Sequence, residues 1–77
     1  MKLEFPIHFQ QRLIERNIDI DHIKKAIKKP DTTKGIFGGR FVSVKKIDKR
    51  TIKVVYSPVK GKKDTYVIIT AYYIYKI

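Results

Sequence analysis

Residues 40–57 read RFVSVKKIDKRTIKVVYS, from Arg40 to Ser57, and the way this stretch folds decides the architecture. Its apolar residues are mostly β-branched or aromatic and fall into two short runs, about 40–47 and 51–57, a composition that suits a pleated surface better than a helix. Asp48-Lys49-Arg50 between them has room only for a tight hairpin, so the two runs are neighbouring antiparallel strands.

Toward the C-terminus, a longer basic loop, Pro58-Val59-Lys60-Gly61-Lys62-Lys63-Asp64, leads into a third run at 65–75, and Gly61 can take the positive φ such a loop needs. On this last strand Val67, Ile69, Ala71 and Tyr73 alternate with Ile68, Thr70, Tyr72 and Ile74, and Ala71 leaves room for a close helix. On the middle strand Ile52, Val54 and Tyr56 form the apolar set opposite Lys53, Val55 and Ser57. Grouping Val42 and Val44 with the buried side places Phe41, Ser43 and Lys45 beside Lys53, Ser57, Thr70 and Tyr72 on an open, basic and partly aromatic face.

Toward the N-terminus the periodicity changes. Asp31 to Gly39, with Gly35 and the pair Gly38-Gly39, is turn-rich and offers only a short extended piece at Ile36-Phe37. Before it, Ile20, Ile23, Ala26 and Ile27 recur at helical spacing behind Asp19, a good N-cap, with Lys28 and Lys29 at the negative C-terminal end and Pro30 as the stop. An earlier helix from about residue 6 to 16 starts on Pro6, which loses nothing in a first turn, and presents Phe9, Leu13, Ile14 and Ile7 as its apolar arc before Asn17 breaks the pattern. The apolar stripes of two helices have only a sheet face to bury against. The expectation is one α+β domain over residues 1–77, two N-terminal helices on a three- to four-stranded antiparallel sheet.

Seventy-seven residues give one thin core. There is no cysteine, hence no disulfide framework and no thiolate metal site, and an oxidising compartment has no support. No basic start precedes a long apolar run, so neither a signal peptide nor a membrane span is expected, and the cytoplasm is the expected location. The formal net charge is +11, from 18 Lys and Arg against 7 Asp and Glu, and such a field attracts polyanions, nucleic acid first among them. A bland origin competes: lysine together with many isoleucines also follows from base composition or heat adaptation.

Chemistry centres on HFQQRLIER, His8 to Arg16. With His8 at zero on a helical wheel, Arg12 falls near about 40° and Arg16 near about 80°, just short of Phe9 and Leu13 at about 100° and 140°. Arginines bordering a buried arc commonly pack their stems on the core. The same groups are also the parts for cleaving RNA without a metal: an imidazole that exchanges protons at neutral pH, and guanidiniums that grip phosphate by paired hydrogen bonds. On the last strand Thr70 and Tyr72 offer hydroxyls for phosphate or base contact, whereas Tyr56, Tyr66, Tyr73 and Tyr75 read as ordinary strand packing. Lys45, Lys53, Lys60, Lys62 and Lys63 would attract phosphate without sequence preference, and Arg40, following a glycine turn, could reach a phosphate or simply guard an edge. His8 and His22 lack a carboxylate pair at ligand spacing, so no metal or other cofactor is expected, and His22 beside Asp21 reads as a solvated surface residue.

Taken together, HFQQRLIERNID, IKKPD, VVYSP and VIITAYY, in that order from His8 to about Tyr73, resemble a numbered family of small domains of unknown function grouped with the barnase, EndoU, colicin and RelE (BECR) ribonucleases. The resemblance implies a RelE-like helix-plus-sheet fold, a toxin-type metal-independent endoribonuclease acting on RNA, free or on a ribosome, and a neutralising antitoxin. It places the family's histidine on His8, its helix arginines on Arg12 and Arg16, and its closing Thr-x-Tyr on Thr70 and Tyr72. One condition attaches: with Thr70 and Tyr72 on the open sheet face, a helix on the covered face brings His8 to them only from the edge of the sheet; otherwise Thr70 and Tyr72 face the helices, or the five residues do not form one site. Two other readings stand beside the enzyme: a non-catalytic basic nucleic-acid-binding module, and a protein-interaction domain whose positive surface meets an acidic partner.

Overall fold

The computed structural model describes residues 1–74, and its elements are β1 (Lys2–Glu4), α1 (Ile7–Glu15), α2 (Ile20–Lys28), β2 (Thr32–Ile36), β3 (Arg40–Ile47), β4 (Arg50–Pro58) and β5 (Thr65–Ile74). They build one five-stranded sheet in the order β1-β5-β4-β3-β2, with the helices on one face. The architecture is α+β as expected, but the sheet is larger than expected and mixed. β2 replaces the turn-rich link and pairs antiparallel with β3, and β1 pairs parallel with β5 from Lys2↔Thr65 to Glu4↔Val67. Tyr75, expected at the end of the last strand, lies outside the described residues. Among the described residues no helix is long and apolar enough to cross a membrane.

Local signals set the helix ends. Asn17 takes φ 50, Asn17 N–H donates to the Ile14 carbonyl and Ile18 N–H to that of Leu13, the double bond of a Schellman turn. That turn delivers Ile18 into the core and points the chain at α2, whose N-cap Asp19 accepts the Asp21 N–H at 2.9 Å. Between β2 and β3, Gly38 and Gly39 both hold positive φ and make the tight reversal after Phe37.

Which side chains are buried departs from the expected arcs. In α1 only Phe9 is fully buried and Leu13 packs beside it, while Ile7 and Ile14 stand 84% and 83% exposed. A nine-residue helix that packs on the single strand β5 covers a narrow arc, so apolar residues farther round the wheel are left outside. In the sheet the register sets Ser43 opposite Val54 and Phe41 opposite Tyr56, which puts Phe41, Ser43 and Lys45 on the helix side and Val42 and Val44 on the open side, the reverse of the expected assignment. Ser43 is fully buried without penalty because its hydroxyl donates to Tyr56 Oη at 3.1 Å and lies 3.2 Å from Thr33 Oγ1. A bulge at Ile69, where Val55 pairs with Thr70 and Tyr56 with Ile68, breaks the alternation of β5 so that Ile68 and Ala71 share the core face.

Asp31 clamps the start of β2. Its carboxylate accepts Lys46 N–H at 2.7 Å and faces Lys45 Nζ at 3.6 Å. That backbone hydrogen bond, with the charges of Lys45 and Lys46, holds its pKa below the ordinary value against a smaller opposing effect of burial. A carboxylate with a lowered folded pKa stabilises the fold above its unfolded pKa and ceases to do so as the pH falls through the folded one. The melting difference between the parent and Asp31→Asn is therefore expected at neutral pH and should close as the pH falls through and below the ordinary carboxylate range. A difference that persists in acid would contradict the clamp.

Candidate functional site

Arg16 caps the C-terminal end of α1 and reaches across to the last strand. Its Nη1 donates to the Ala71 carbonyl at 3.1 Å and lies 3.4 Å from Thr70 Oγ1. β1 pairs only with Thr65 to Val67, so the farther half of β5 has a bare edge, and a guanidinium from α1 satisfies one of its carbonyls. Cross-strand pairing of Val55 with Thr70 and of Lys53 with Tyr72 places both of these β5 residues on the open face. Lys53 Nζ lies 5.9 Å from the centre of the Tyr72 ring, within cation–π range. The opening helix and the closing strand thus meet at the sheet edge.

The remaining expected site residues spread outward from this junction. Arg12 is exposed one turn back along α1, loosely paired with Glu15 at 3.9 Å. His8 is exposed two turns back, about 12 Å from Arg16 along the helix axis. Among the described residues neither His8 nor Arg12 hydrogen-bonds to β5. Arg40 opens β3 with the parity of Val42 and therefore shares the open face with Lys53, Thr70 and Tyr72. Lys45 lies on the helix side beside Asp31, a sheet thickness from Lys53. Lys60, Lys62 and Lys63 occupy the β4–β5 loop, with Lys62 3.4 Å from Glu4.

One cluster was not legible in the sequence. His22, expected at the solvated surface, has its side chain only 13% exposed, and its Nδ1 lies 2.8 Å from Tyr73 Oη, which also accepts the Asp19 N–H at 3.2 Å. The Arg50 guanidinium sits 4.3 Å above the Tyr73 ring. This arrangement fastens the first turn of α2 to β5. Its partners are some fifty residues apart, 51 for His22 and Tyr73, and no local pattern announces such a pair.

Comparison with known proteins follows the same outline. Residues 6–73 match the model of a family described as a domain of unknown function (DUF4258). The fold is similar to that of the Brucella abortus ribonuclease toxin BrnT, with a TM-score of 0.72 over 99% of each chain at 12% sequence identity. At that identity the likeness is one of fold. A search of curated protein sequences returns no match.

Proposed function

From its membership of the DUF4258 family, to which the chain belongs, we propose that it is a toxin-type endoribonuclease that cuts RNA without a metal ion and is neutralised by an antitoxin partner. The observation that supports this reading is the contact of Arg16 with Thr70 and Ala71 at the sheet edge, while His8 stands about 12 Å farther back along α1. The fold likeness to a ribonuclease toxin and the net charge of +11 support it.

In the proposed reaction an RNA strand crosses the exposed side of α1 toward the open face. His8 takes the proton of a ribose 2′-hydroxyl, and the freed oxygen forms a bond to the adjacent phosphorus. The bond from phosphorus to the 5′-oxygen breaks, and that oxygen takes a proton from the Tyr72 hydroxyl, which regains one from solvent. Arg12 and Arg16 bind the phosphate and offset the charge that builds on it, and Arg40, two strands and four residues from Tyr72 on the open face, holds a phosphate farther along the RNA strand. Thr70 orients the Arg16 guanidinium, and Lys53 draws the strand in.

Incubating the purified protein with RNA in the presence of a chelator should yield fragments with 2′,3′-cyclic phosphate ends. RNA that is bound but left intact would replace this reading with that of a non-catalytic module.

A further inference from the structure

We propose that the helix side of β3, on the sheet face opposite Thr70 and Tyr72, is a binding track for single-stranded nucleic acid, with a lysine-walled hollow for phosphates leading to an aromatic hollow for a base. The inference rests on the reading of RNA as the partner but not on cleavage.

The first hollow, about 330 Å³, is lined by Lys24, Lys25, Lys28 and Lys29 around the end of α2 and by Lys45 of β3. Lys24 and Lys28, and likewise Lys25 and Lys29, are like charges four residues apart, an arrangement that destabilises an isolated helix. Asp31 faces Lys45 at 3.6 Å, and Asp21 stands one turn before Lys24 and Lys25 on α2. Aliphatic stems wall the space and ammonium groups rim it, which suits a chain of phosphates.

The second hollow, about 250 Å³, is lined by Thr33, Phe41, Tyr56, Pro58 and Tyr66. Tyr56 is its floor, stacked on Phe41 at 5.9 Å and meeting Tyr66 edge-on at 5.5 Å. Phe41 and Tyr66 are half-buried, and the Thr33 hydroxyl lies at one side. Every residue lining this hollow belongs to the sheet. Partly exposed rings such as Phe41 and Tyr66 can take any base, since every base has a π surface, and the Thr33 hydroxyl can bond to its edge.

Register joins the two hollows. Lys45, Ser43 and Phe41 occupy alternate positions on the same face of β3, so Phe41 lies four residues before Lys45, about 13 Å along the strand. Ser43 between them is fully buried, so a strand would pass over it from lysines that bind phosphate to aromatics that stack a base, the pairing by which single strands are held without a sequence code. Duplex nucleic acid, whose bases are stacked inward, could use only the lysines.

The test is equilibrium binding of a 2′-O-methyl oligonucleotide, which keeps bases and phosphates but has no 2′-hydroxyl to attack, against inorganic polyphosphate of similar charge. Phe41→Leu and Tyr66→Leu, which keep apolar volume, should weaken the oligonucleotide about tenfold and leave polyphosphate unchanged. Lys24→Ala with Lys28→Ala should weaken both, the salt slope falling by about 0.7 for each lysine lost. Aromatic NMR signals of Phe41 and Tyr66 in the parent protein should shift with the oligonucleotide and stay still with polyphosphate. Equal behaviour toward the two ligands, or oligonucleotide binding that ignores all four substitutions, overturns the track. Absence of RNA cleavage would overturn only the catalytic reading, because the oligonucleotide cannot be cut.

Discussion

His8→Ala is expected to slow RNA cleavage by about 10²- to 10⁴-fold, the usual contribution of a positioned proton-transfer group, while leaving the thermal midpoint of unfolding where it was. The two halves of that expectation have one cause. His8 is exposed in the first turn of α1 and packs into no part of the core, so removing the imidazole takes away chemistry and little else. Arg16→Ala should behave differently. It strips a hydrogen bond from the Ala71 carbonyl and a contact from Thr70, so activity and stability should fall together, stability by about 1–2 kcal/mol. Rates from gel-resolved cleavage in chelator, set beside melting curves, separate the cases. Equal cleavage by parent and His8→Ala would remove His8 from the mechanism, and a purified Arg16→Ala as active as the parent would dissolve the junction as a site.

Phe9→Ala is expected to cost about 3–5 kcal/mol, because a ring filling the space between α1 and the sheet leaves a cavity that nearby side chains cannot close. Phe9 is 1% exposed and stacks at 6.2 Å on Phe5, just before the helix. A domain of this size has total stability of roughly 4–12 kcal/mol, so the variant should melt at least about 12 °C lower and approach unfolding at body temperature. Ile14→Ala is the matched control on the same helix. Its side chain is 83% exposed, and alanine is the better helix former, so its midpoint should move by no more than a few degrees. Comparable losses in the two variants would mean that Ile14 is covered in solution and that α1 buries a second face.

The contrast between Phe9 and Ile14 also marks what the sequence could convey. Periodicity identified both as apolar on a helix, and nothing within α1 distinguishes the one that meets β5 from the one that meets water. The site divides the same way. Residue types and spacing singled out Arg16, Thr70 and Tyr72, but the closure of Arg16 on Thr70 spans 54 residues and depends on how short β1 is. His22 and Tyr73, at a similar separation, carried no signal because each by itself is an ordinary residue of its element. Tyr66 read as strand packing and Phe41 as part of the open face, and the two became one surface hollow only through the register that aligned them with Tyr56 on the helix side.

By itself, the sequence determined whatever is encoded within a few residues: two helices with their Asn17, Asp19 and Pro30 boundaries, the strands β3, β4 and β5, the hairpin at Asp48-Lys49, and the α+β class. Tertiary structure alone decided the three-residue β1, the exposed strand β2, the bulge at Ile69 and the face on which Ser43 lies. The physical reason is range. Helix hydrogen bonds and caps close within four residues, so their signals are local, whereas every strand bond is made to another segment, and a shift of one residue there sends each side chain to the opposite face.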